Sequence, residues 1–393
     1  MTQSTASLSE RVARTPSSAT VRIADLASEM RRKGIQILDF SAGRAVEGSP
    51  QYINEAASQS LLTGDTHQTP AQGKPEYREN IAHKLQREND LDVDPDKNVI
   101  ATLGCKNGLT LALMATINPG DEVIVEDPCF VSYGATIGFF EGKTVPVPLR
   151  AENDFRWTRN ELERAVTDRT RCILICSPQN PTGTVHTEDD LDMISEVAKS
   201  HNLWVISDEI YERITWGGRR HICIASRSGM KDRSIGLMGF TKTFSMGGWR
   251  IGYMVAPETI IESCVVFQQH LMTCAGSFTQ AGAALALSEM VRSEVLEMWM
   301  DWEKRCQFVT EEINKIPKLS CRMPEGAFYA WIDIRQTGEM SADFCERMLE
   351  EQRVALVPGA PFGPSGEGYV RMTCVKSWDD LKKGLKRILE GLS

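Results

Sequence analysis

The sequence lacks the signatures of several protein classes. Its 393 residues carry a formal net charge of −9, and no block of lysine or arginine offsets this charge, which argues against nucleic acid as a partner. Residues 1–15 are polar, and no later apolar run is long enough to cross a bilayer. We therefore expect no secretory signal, no membrane partner and a cytoplasmic location.

Cysteine and histidine motifs are also missing. Eleven cysteines, an odd number, include no Cys-x-x-Cys pair, and several of them, such as Cys172 and Cys176, lie in apolar runs. This pattern predicts reduced, buried thiols. The six histidines lack the spacing of a zinc site, so we expect no metal. What remains is the composition of a globular enzyme, with 41% hydrophobic and 25% charged residues.

Short apolar runs separated by helix-length segments predict an α/β fold. The runs cover residues 99–101, 123–125, 172–175, 205–207 and 235–238. Because they are hydrophobic almost without interruption, they predict strands of a sheet that is covered on both faces.

The C-terminal part of the chain predicts further elements. Residues 288–316 have helical spacing and predict a helix that leads into a smaller domain. Residues 345–352 predict a helix, residues 354–359 a strand, and residues 378–392 a closing amphipathic helix.

The most informative segment is residues 239–250, with the sequence Gly-Phe-Thr-Lys-Thr-Phe-Ser-Met-Gly-Gly-Trp-Arg. Lys242 lies among apolar and hydroxyl side chains, which can strip water from its amine and leave it free to attack an aldehyde. Arg250 supplies a planar guanidinium that binds two phosphate oxygens at once. Together they predict a site for pyridoxal phosphate (PLP), although a lysine beside glycines is more often a solvated loop residue.

Asp208 directly follows the predicted strand at residues 205–207. A carboxylate at the carboxyl end of a parallel strand lies where open α/β sheets bind ligands. If Asp208 faces a pyridine nitrogen, its charge keeps that nitrogen protonated, and the ring then accepts electrons. Tyr211 could donate its phenol to the 3-oxygen of the same ring. The alternative is an aspartate that caps a helix.

Three more segments could complete such a site. Asn180 lies between two prolines that fix its direction, so it could donate to the same 3-oxygen, or the turn could be a plain loop. Gly104 precedes a helical pattern, and the free amides of Cys105 and Lys106 then offer an anion site suited to a phosphate. Phe130 could stack on the cofactor ring or belong to the core.

In this order, the segments resemble the class I and II aminotransferases, which are PLP-dependent enzymes of fold type I, over essentially the whole chain. Residues 16–21, Lys106 and residues 368–371 are most similar to the bacterial aspartate and prephenate aminotransferase branch. The resemblance implies a mostly parallel sheet covered by helices in a large PLP-binding domain, plus a smaller α/β domain. It also implies a homodimer with active sites at the subunit interface.

The resemblance further implies domain boundaries. Residues 1–46 would form an N-terminal arm and part of the small domain, residues 47–287 the large domain, and residues 288–393 the small C-terminal domain.

Individual roles follow from the resemblance at the matching positions. Lys242 would carry the cofactor covalently, Asp208 would pair with the pyridine nitrogen and Tyr211 would act beside them as the third catalytic residue. Arg250 would bind phosphate, and Arg371 would hold the substrate α-carboxylate. The residues assigned to the cofactor are Gly104, Cys105, Lys106, Phe130, Asn180, Asp208, Tyr211, Thr241, Lys242 and Arg250. Those assigned to the substrate are Thr20, Gly43, Arg44, Lys106, Asn180 and Arg371.

The expected activity is transamination between an amino acid and a 2-oxo acid in two half-reactions, with ping-pong kinetics. In the resembling branch, the residues that match Lys106 and Thr20 contact a distal carboxylate. We therefore expect aspartate or glutamate as donor and 2-oxoglutarate or oxaloacetate as acceptor. A Lys106 side chain that points into solvent is the alternative, and aromatic, prephenate-type or unusual amino acids remain open.

Three positions depart from the family pattern. Arg44 replaces an acidic residue near the substrate, which favours an acidic substrate, Gln68 replaces a tyrosine that reaches the neighbouring subunit's phosphate, and Gly239 replaces a serine. These changes keep a β-lyase, a synthase or a decarboxylase of the same fold as rivals. A regulator that only binds the vitamer is a more distant alternative. Lys242 and Asp208 together would create an electron sink, and binding alone does not need one.

Overall fold

The computed structural model describes Ser9, Val12 and residues 19–392, except for the side chains of residues 19–24, 289–292 and 294. The described helices are α1 (Ala19–Arg32), α2 (Gln51–Leu62), α3 (Pro75–Asn89), α4 (Cys105–Thr116), α5 (Ser132–Phe139), α6 (Arg159–Ala165), α7 (Glu188–Ser200), α8 (Glu258–Leu271), α9 (Ser277–Ala286), α10 (Glu289–Ile313), α11 (Ser341–Gln352) and α12 (Trp378–Glu390).

The strands are β1 (Leu38–Asp39), β2 (Val99–Thr102), β3 (Glu122–Asp127), β4 (Lys143–Pro148), β5 (Thr170–Cys176), β6 (Trp204–Asp208), β7 (Ser234–Gly239), β8 (Gly252–Val255), β9 (Ser320–Cys321), β10 (Tyr329–Asp333), β11 (Val354–Ala355), β12 (Val357–Pro358) and β13 (Tyr369–Thr373).

The main sheet has seven strands in the order β2-β8-β7-β6-β5-β3-β4. β8 runs antiparallel to β2 and β7, and the other neighbours pair in parallel. Along β5, Ile173 and Ile175 pack in one core cluster with α7, whereas Cys172 and Leu174 pack in another with α4. The predicted α/β class, with a mostly parallel sheet covered by helices, is confirmed.

Two strands of this sheet were absent from the prediction. β4, with the sequence Lys-Thr-Val-Pro-Val-Pro, is a partly exposed edge strand that contains two prolines, and prolines in strands are confined to such edges. β8 is only four residues long and begins with Gly252. β4 therefore lacks an uninterrupted apolar run, whereas β8 carries the run Tyr253-Met254-Val255, which the prediction overlooked.

The C-terminal part of the chain forms smaller sheets. β12, β13, β10 and β9 pair in that order as an antiparallel sheet, and β1 pairs with β11 in parallel. α10 leads into this region as expected, and it buries Trp302 completely. The predicted helices at 345–352 and 378–392 correspond to α11 and α12. The boundaries at residues 46 and 287 stay a prediction.

The topology brings the informative segments together. Because β5, β6 and β7 run in parallel, the segments that follow them emerge at one edge of the sheet. Asn180 and Lys242 lie in the segments after β5 and β7, and Asp208 is the last residue of β6. Across the described residues, no helix combines the length and apolarity needed to traverse a bilayer.

Candidate active site

A cavity of about 390 Å³ opens at this edge of the sheet. The predicted residues that line it are Gly43, Cys105, Lys106, Phe130, Asn180, Asp208, Tyr211, Thr241, Lys242, Arg250 and Arg371. The lining also contains residues that the sequence did not indicate, among them Ser41, Tyr133, Cys176 and Tyr329. The structure thus gathers most of the predicted residues around one space.

Lys242 follows β7 in the turn at one wall of the cavity. Its Nζ donates a hydrogen bond of 2.7 Å to the carbonyl oxygen of Gly43, and it lies 5.9 Å from the ring centroids of both Tyr211 and Phe328. Within the described chain, no carboxylate forms a salt bridge with it. The amine is therefore held by one neutral acceptor and remains available to a ligand.

Asp208 ends β6 and is buried, with 7% of its surface exposed. Its Oδ2 accepts a hydrogen bond of 2.8 Å from the Tyr133 hydroxyl, and its Oδ1 accepts one of 3.3 Å from the amide of Ile210. Burial raises the pKa of Asp208 to about 6, although these hydrogen bonds and the charge of Lys242 oppose the rise. A cationic partner in the cavity would favour the charged carboxylate.

The start of α4 and Arg250 form the opposite end of the site. Gly104 precedes the helix with a φ of 82°, and Arg250 itself has a φ of 52°. The guanidinium donates to the carbonyl oxygens of Leu103 at 2.8 Å and Gly247 at 3.1 Å. A Cβ at Gly104 would lie 2.9 Å from Arg250 Nη2, so only glycine leaves this space open. The helix start and the guanidinium together suit a phosphate.

Lys106 is a third cation in the cavity, besides Lys242 and Arg250. Its side chain is exposed, yet it lines the cavity, with Nζ 5.3 Å from the ring centroid of Phe130. Partial burial and the charges of Arg250 and Lys242 lower the pKa of Lys106. An anion bound in the cavity would relieve this repulsion.

Arg371 lies on β13 and is 3% exposed. It donates to Asn180 Oδ1 at 3.0 Å and to the carbonyl oxygen of Ser41 at 2.8 Å. Its Nε is buried without a partner among the described residues, and no described carboxylate pairs with the guanidinium. A buried charge that lacks a counter-charge is costly, so this position attracts an anionic ligand.

Tyr211 and Tyr329 also line the cavity, and their hydroxyl groups are hydrogen-bonded to each other. Their hydroxyl oxygens are 2.8 Å apart, and burial together with the neighbouring Tyr329 raises the pKa of Tyr211. The Asn180 side-chain oxygen already accepts from Arg371, which leaves its NH₂ group to donate elsewhere. A phenol and an amide are thus both in place to donate to a ligand oxygen.

Some predicted residues lie elsewhere. Arg44 is exposed and does not line the cavity, although its neighbour Gly43 does. A contact between Arg44 and the substrate stays a prediction. The Thr20 side chain lies outside the described residues. Gln68 is exposed, and a contact with a second subunit stays a prediction.

The glycine at position 239 has a local explanation. A Cβ on Gly239 would lie 3.2 Å from Ile210 Cδ1 and 3.4 Å from Cys105 Sγ. Ile210 and the thiol of Cys105 therefore narrow the space that a serine side chain at position 239 would need.

The fold and the cavity together define a class of protein. A mostly parallel sheet that places a lysine, an aspartate and the start of a helix around one cavity at its carboxyl edge is the arrangement of the fold type I PLP-dependent transferases.

Comparison with known proteins gives the family. The model of the class I and II aminotransferases matches residues 35–388, and the chain belongs to this family. The chain is 39% identical to the aspartate aminotransferase of Pyrococcus abyssi over 368 residues, which are 93% of each chain. It is 38% identical to aromatic-amino-acid aminotransferase 2 of Thermococcus litoralis over 97% of each chain.

A solved structure gives the same answer. The aspartate aminotransferase of Thermus thermophilus with maleate matches with a TM-score of 0.94 and 33% identity, over 99% of this chain and 100% of that one. The resemblance, the fold type and the enzyme class predicted from the sequence are thereby confirmed. The protein is an aminotransferase, and enzymes of its family use PLP.

The residues present fit that cofactor. The cavity offers an amine for an aldehyde, a buried carboxylate for a pyridine nitrogen and a cradle for a phosphate that a Cβ at Gly104 would fill. The partnerless Nε of Arg371 marks the place for a carboxylate next to it.

Proposed function

We propose that the protein binds PLP through Lys242 and moves amino groups from L-aspartate or L-glutamate to a 2-oxo acid such as 2-oxoglutarate or oxaloacetate. The observation that carries this proposal is the pair of cations Arg371 and Lys106, which line one cavity without carboxylate partners in the described chain. Two cationic side chains besides Lys242 and Arg250 suit the two carboxylates of an acidic substrate.

PLP, when bound, supplies an aldehyde for the amino group and a ring that withdraws electrons from the α-carbon. Asp208 supplies the negative charge for the ring nitrogen, and the Tyr133 hydroxyl holds that carboxylate in place. Asn180 and Tyr211 donate to the ring 3-oxygen, while Arg250 and the first amides of α4 bind the phosphate.

Arg371 and Lys242 act on the substrate in this proposal. The guanidinium binds the α-carboxylate in a fork, with Asn180 fixing one of its arms at 3.0 Å. By holding the α-carboxylate, this contact would orient the bonds of the α-carbon so that the proton is lost rather than CO₂. Nζ of Lys242 would take the α-proton as a general base and then, as a general acid, deliver it to the cofactor side rather than back to the α-carbon.

Side-chain specificity has a second candidate. Aromatic groups such as Phe130, Tyr133 and Tyr329 line the cavity, and one relative is an aromatic-amino-acid aminotransferase. These features support an aromatic donor as the alternative. The position of Lys106 over Phe130 favours the acidic donor.

The test is a screen of single half-reactions. The purified, PLP-loaded protein is mixed with each common amino acid in the absence of a 2-oxo acid, and the cofactor absorbance and the released acid are measured. We expect aspartate and glutamate to convert the cofactor to its amine form and to release oxaloacetate and 2-oxoglutarate. Release of ammonia or CO₂ instead would indicate a lyase, synthase or decarboxylase.

We also infer a homodimer, a cytoplasmic location and the domain boundaries at residues 46 and 287. The dimer is supported by exposed hydrophobic side chains, including Leu62 at 82%, Val266 at 51% and Leu271 at 49% exposure. A cytoplasmic location is supported by the eleven cysteines, all of which are free thiols. Light scattering of the purified protein tests the dimer, and a monomer at all concentrations contradicts it.

A further inference from the structure

We propose that Tyr329 is a positioning residue that joins the cofactor half of the cavity to its carboxylate half. Tyr329 begins β10, is 1% exposed and lines the cavity. The inference deepens the proposed function and rests on it, because it concerns the same cavity with PLP bound. It assigns separate tasks to the hydroxyl and to the ring of this one side chain.

The hydroxyl acts toward the cofactor. It lies 2.8 Å from the hydroxyl of Tyr211, and a Cβ on Gly43 would lie only 2.1 Å from it. The hydroxyl is therefore confined between Tyr211 and the Gly43 backbone. When Tyr211 donates to the 3-oxygen of PLP, its own oxygen accepts from Tyr329. A hydroxyl that accepts one hydrogen bond is a stronger donor in the next, so Tyr329 strengthens the contact of Tyr211 with the cofactor.

The ring acts toward the substrate carboxylate. The guanidinium carbon of Arg371 lies 4.3 Å from the centroid of the Tyr329 ring. Tyr329 pairs with Thr373 across β10 and β13, two residues from Arg371, so both side chains point to the same face of the sheet. The ring therefore supports the plane of the guanidinium that receives the α-carboxylate.

The hydroxyl is tested with Tyr329→Phe. The PLP-loaded protein is titrated with pH in the absence of substrate, and the midpoint of its visible absorbance change is measured. We expect the midpoint to rise by about half a pH unit, because a weaker Tyr211 donor stabilises the negatively charged 3-oxygen less. Tyr211→Phe should raise it further, and the double variant should match Tyr211→Phe alone.

A matched control removes another buried hydroxyl. Tyr77 is 1% exposed and donates a hydrogen bond of 2.9 Å to the carbonyl oxygen of Gly252, and it does not line the cavity. Tyr77→Phe should leave the midpoint unchanged, so a shift in Tyr329→Phe is not a general effect of losing a buried hydrogen bond.

The ring is tested with Tyr329→Leu and with maleate, a dicarboxylate that cannot react. Its dissociation constant should rise about tenfold in Tyr329→Leu, because Arg371 loses the nearer of its two aromatic neighbours and keeps only Phe362, 5.1 Å away. In Tyr329→Phe, which keeps the ring, it should stay within about twofold of the original protein.

The outcomes separate the two proposals. An unchanged midpoint in Tyr329→Phe, or equal losses of maleate binding in the Phe and Leu variants, overturns the role of Tyr329 and leaves the proposed function intact. If the Leu variant does not fold, the midpoint of the Phe variant still decides. A protein that forms no Lys242-dependent absorbance with PLP overturns both proposals.

Discussion

Two groups of charged and polar side chains can be compared, one of which lines the cavity while the other lies outside its lining. The cavity cations Lys242, Arg250 and Arg371 bind carbonyl and amide oxygens of the protein. The other group, which we name the buried ion cluster, consists of Lys84, Glu88, Asn89, Glu212 and Arg213. In the cluster, Lys84 pairs with Glu212, and Arg213 pairs with Glu88 at 2.8 Å.

The difference concerns where the counter-charge comes from. Lys84 is fully buried, and together with Arg213 it lowers the pKa of Glu212 to about 2 despite the opposing effect of burial. The cluster is thus complete within the fold. The cavity has cations whose carboxylate or phosphate partners must come from a ligand, which is why the cluster serves stability and the cavity serves binding. Residues 208–213 contribute to both regions, because Asp208 and Tyr211 line the cavity while Glu212 and Arg213 belong to the cluster.

The largest expected effect is on the cavity side. Lys242→Ala should reduce turnover by about 10⁴-fold or more, because it removes both the nucleophile and the proton carrier. The melting temperature of the cofactor-free protein should change little, since Lys242 Nζ forms one hydrogen bond to a carbonyl oxygen. Steady-state kinetics and calorimetry measure the two quantities. Substantial activity in this variant would contradict the assignment of the lysine.

The matching change in the buried ion cluster should have the opposite profile. Lys84→Met keeps the volume of the side chain but leaves Glu212 buried without its cation, which costs about 3–5 kcal/mol of unfolding free energy. Activity per folded molecule should stay near that of the original protein, because Lys84 does not line the cavity. Urea unfolding and active-site titration check these outcomes. A stable but inactive variant would show that the two regions are not separate.

The pH dependence of stability tests the comparison through Asp208 in the cavity and Glu212 in the buried ion cluster. Folding raises the pKa of Asp208 from its ordinary value of 3.8 to about 6, so its burial costs stability that grows between these pH values and is complete above pH 6. Asp208→Asn should therefore stabilise the cofactor-free protein by about 3 kcal/mol above pH 6 and leave it unchanged below pH 3.8. The variant should also bind PLP more weakly.

Glu212 provides the control for that titration. Its folded pKa of about 2 lies below its ordinary value, so it contributes stability above pH 4.5 that is lost as the pH falls toward 2. Glu212→Gln should accordingly destabilise the protein at pH 7. Thermal melts of the cofactor-free proteins across this range compare the two. Destabilisation by both substitutions at pH 7 would contradict the proposed division of roles.

The sequence predicted the residues that lie in the turns after buried strands. Asn180 and Lys242 follow β5 and β7, and Asp208 ends β6. The apolar runs of these strands are visible along the chain, and parallel pairing places the three residues together. Tyr133 and Tyr329 were missed, and tertiary packing alone brings Tyr329 to the cavity. Tyr133 lies three residues after Phe130 in the same turn and helix start, a spacing that could have indicated it.

The remaining differences are also physical. The orientation of Arg44 depends on the path of the backbone after Gly43, and the neighbouring residues in the sequence do not determine that path. The buried ion cluster leaves no local pattern either, since Lys84 and Glu212 are 128 residues apart. Long-range pairs of this kind are set by how α3 packs against the turn after β6.

The smallest expected effect distinguishes the role of Lys106 from that of Arg371, one of the cavity cations. Lys106→Met should lower kcat/KM about tenfold for aspartate and glutamate, because a distal carboxylate loses one exposed cationic partner. Alanine and aromatic donors, which have no distal carboxylate, should be nearly unaffected. Arg371→Leu is the control, since the α-carboxylate is common to all donors and all of them should lose activity alike. If Lys106→Met reduced every donor equally, the amine would act at the cofactor phosphate instead, beside Arg250 at the start of α4, and the preference for acidic substrates would need another source.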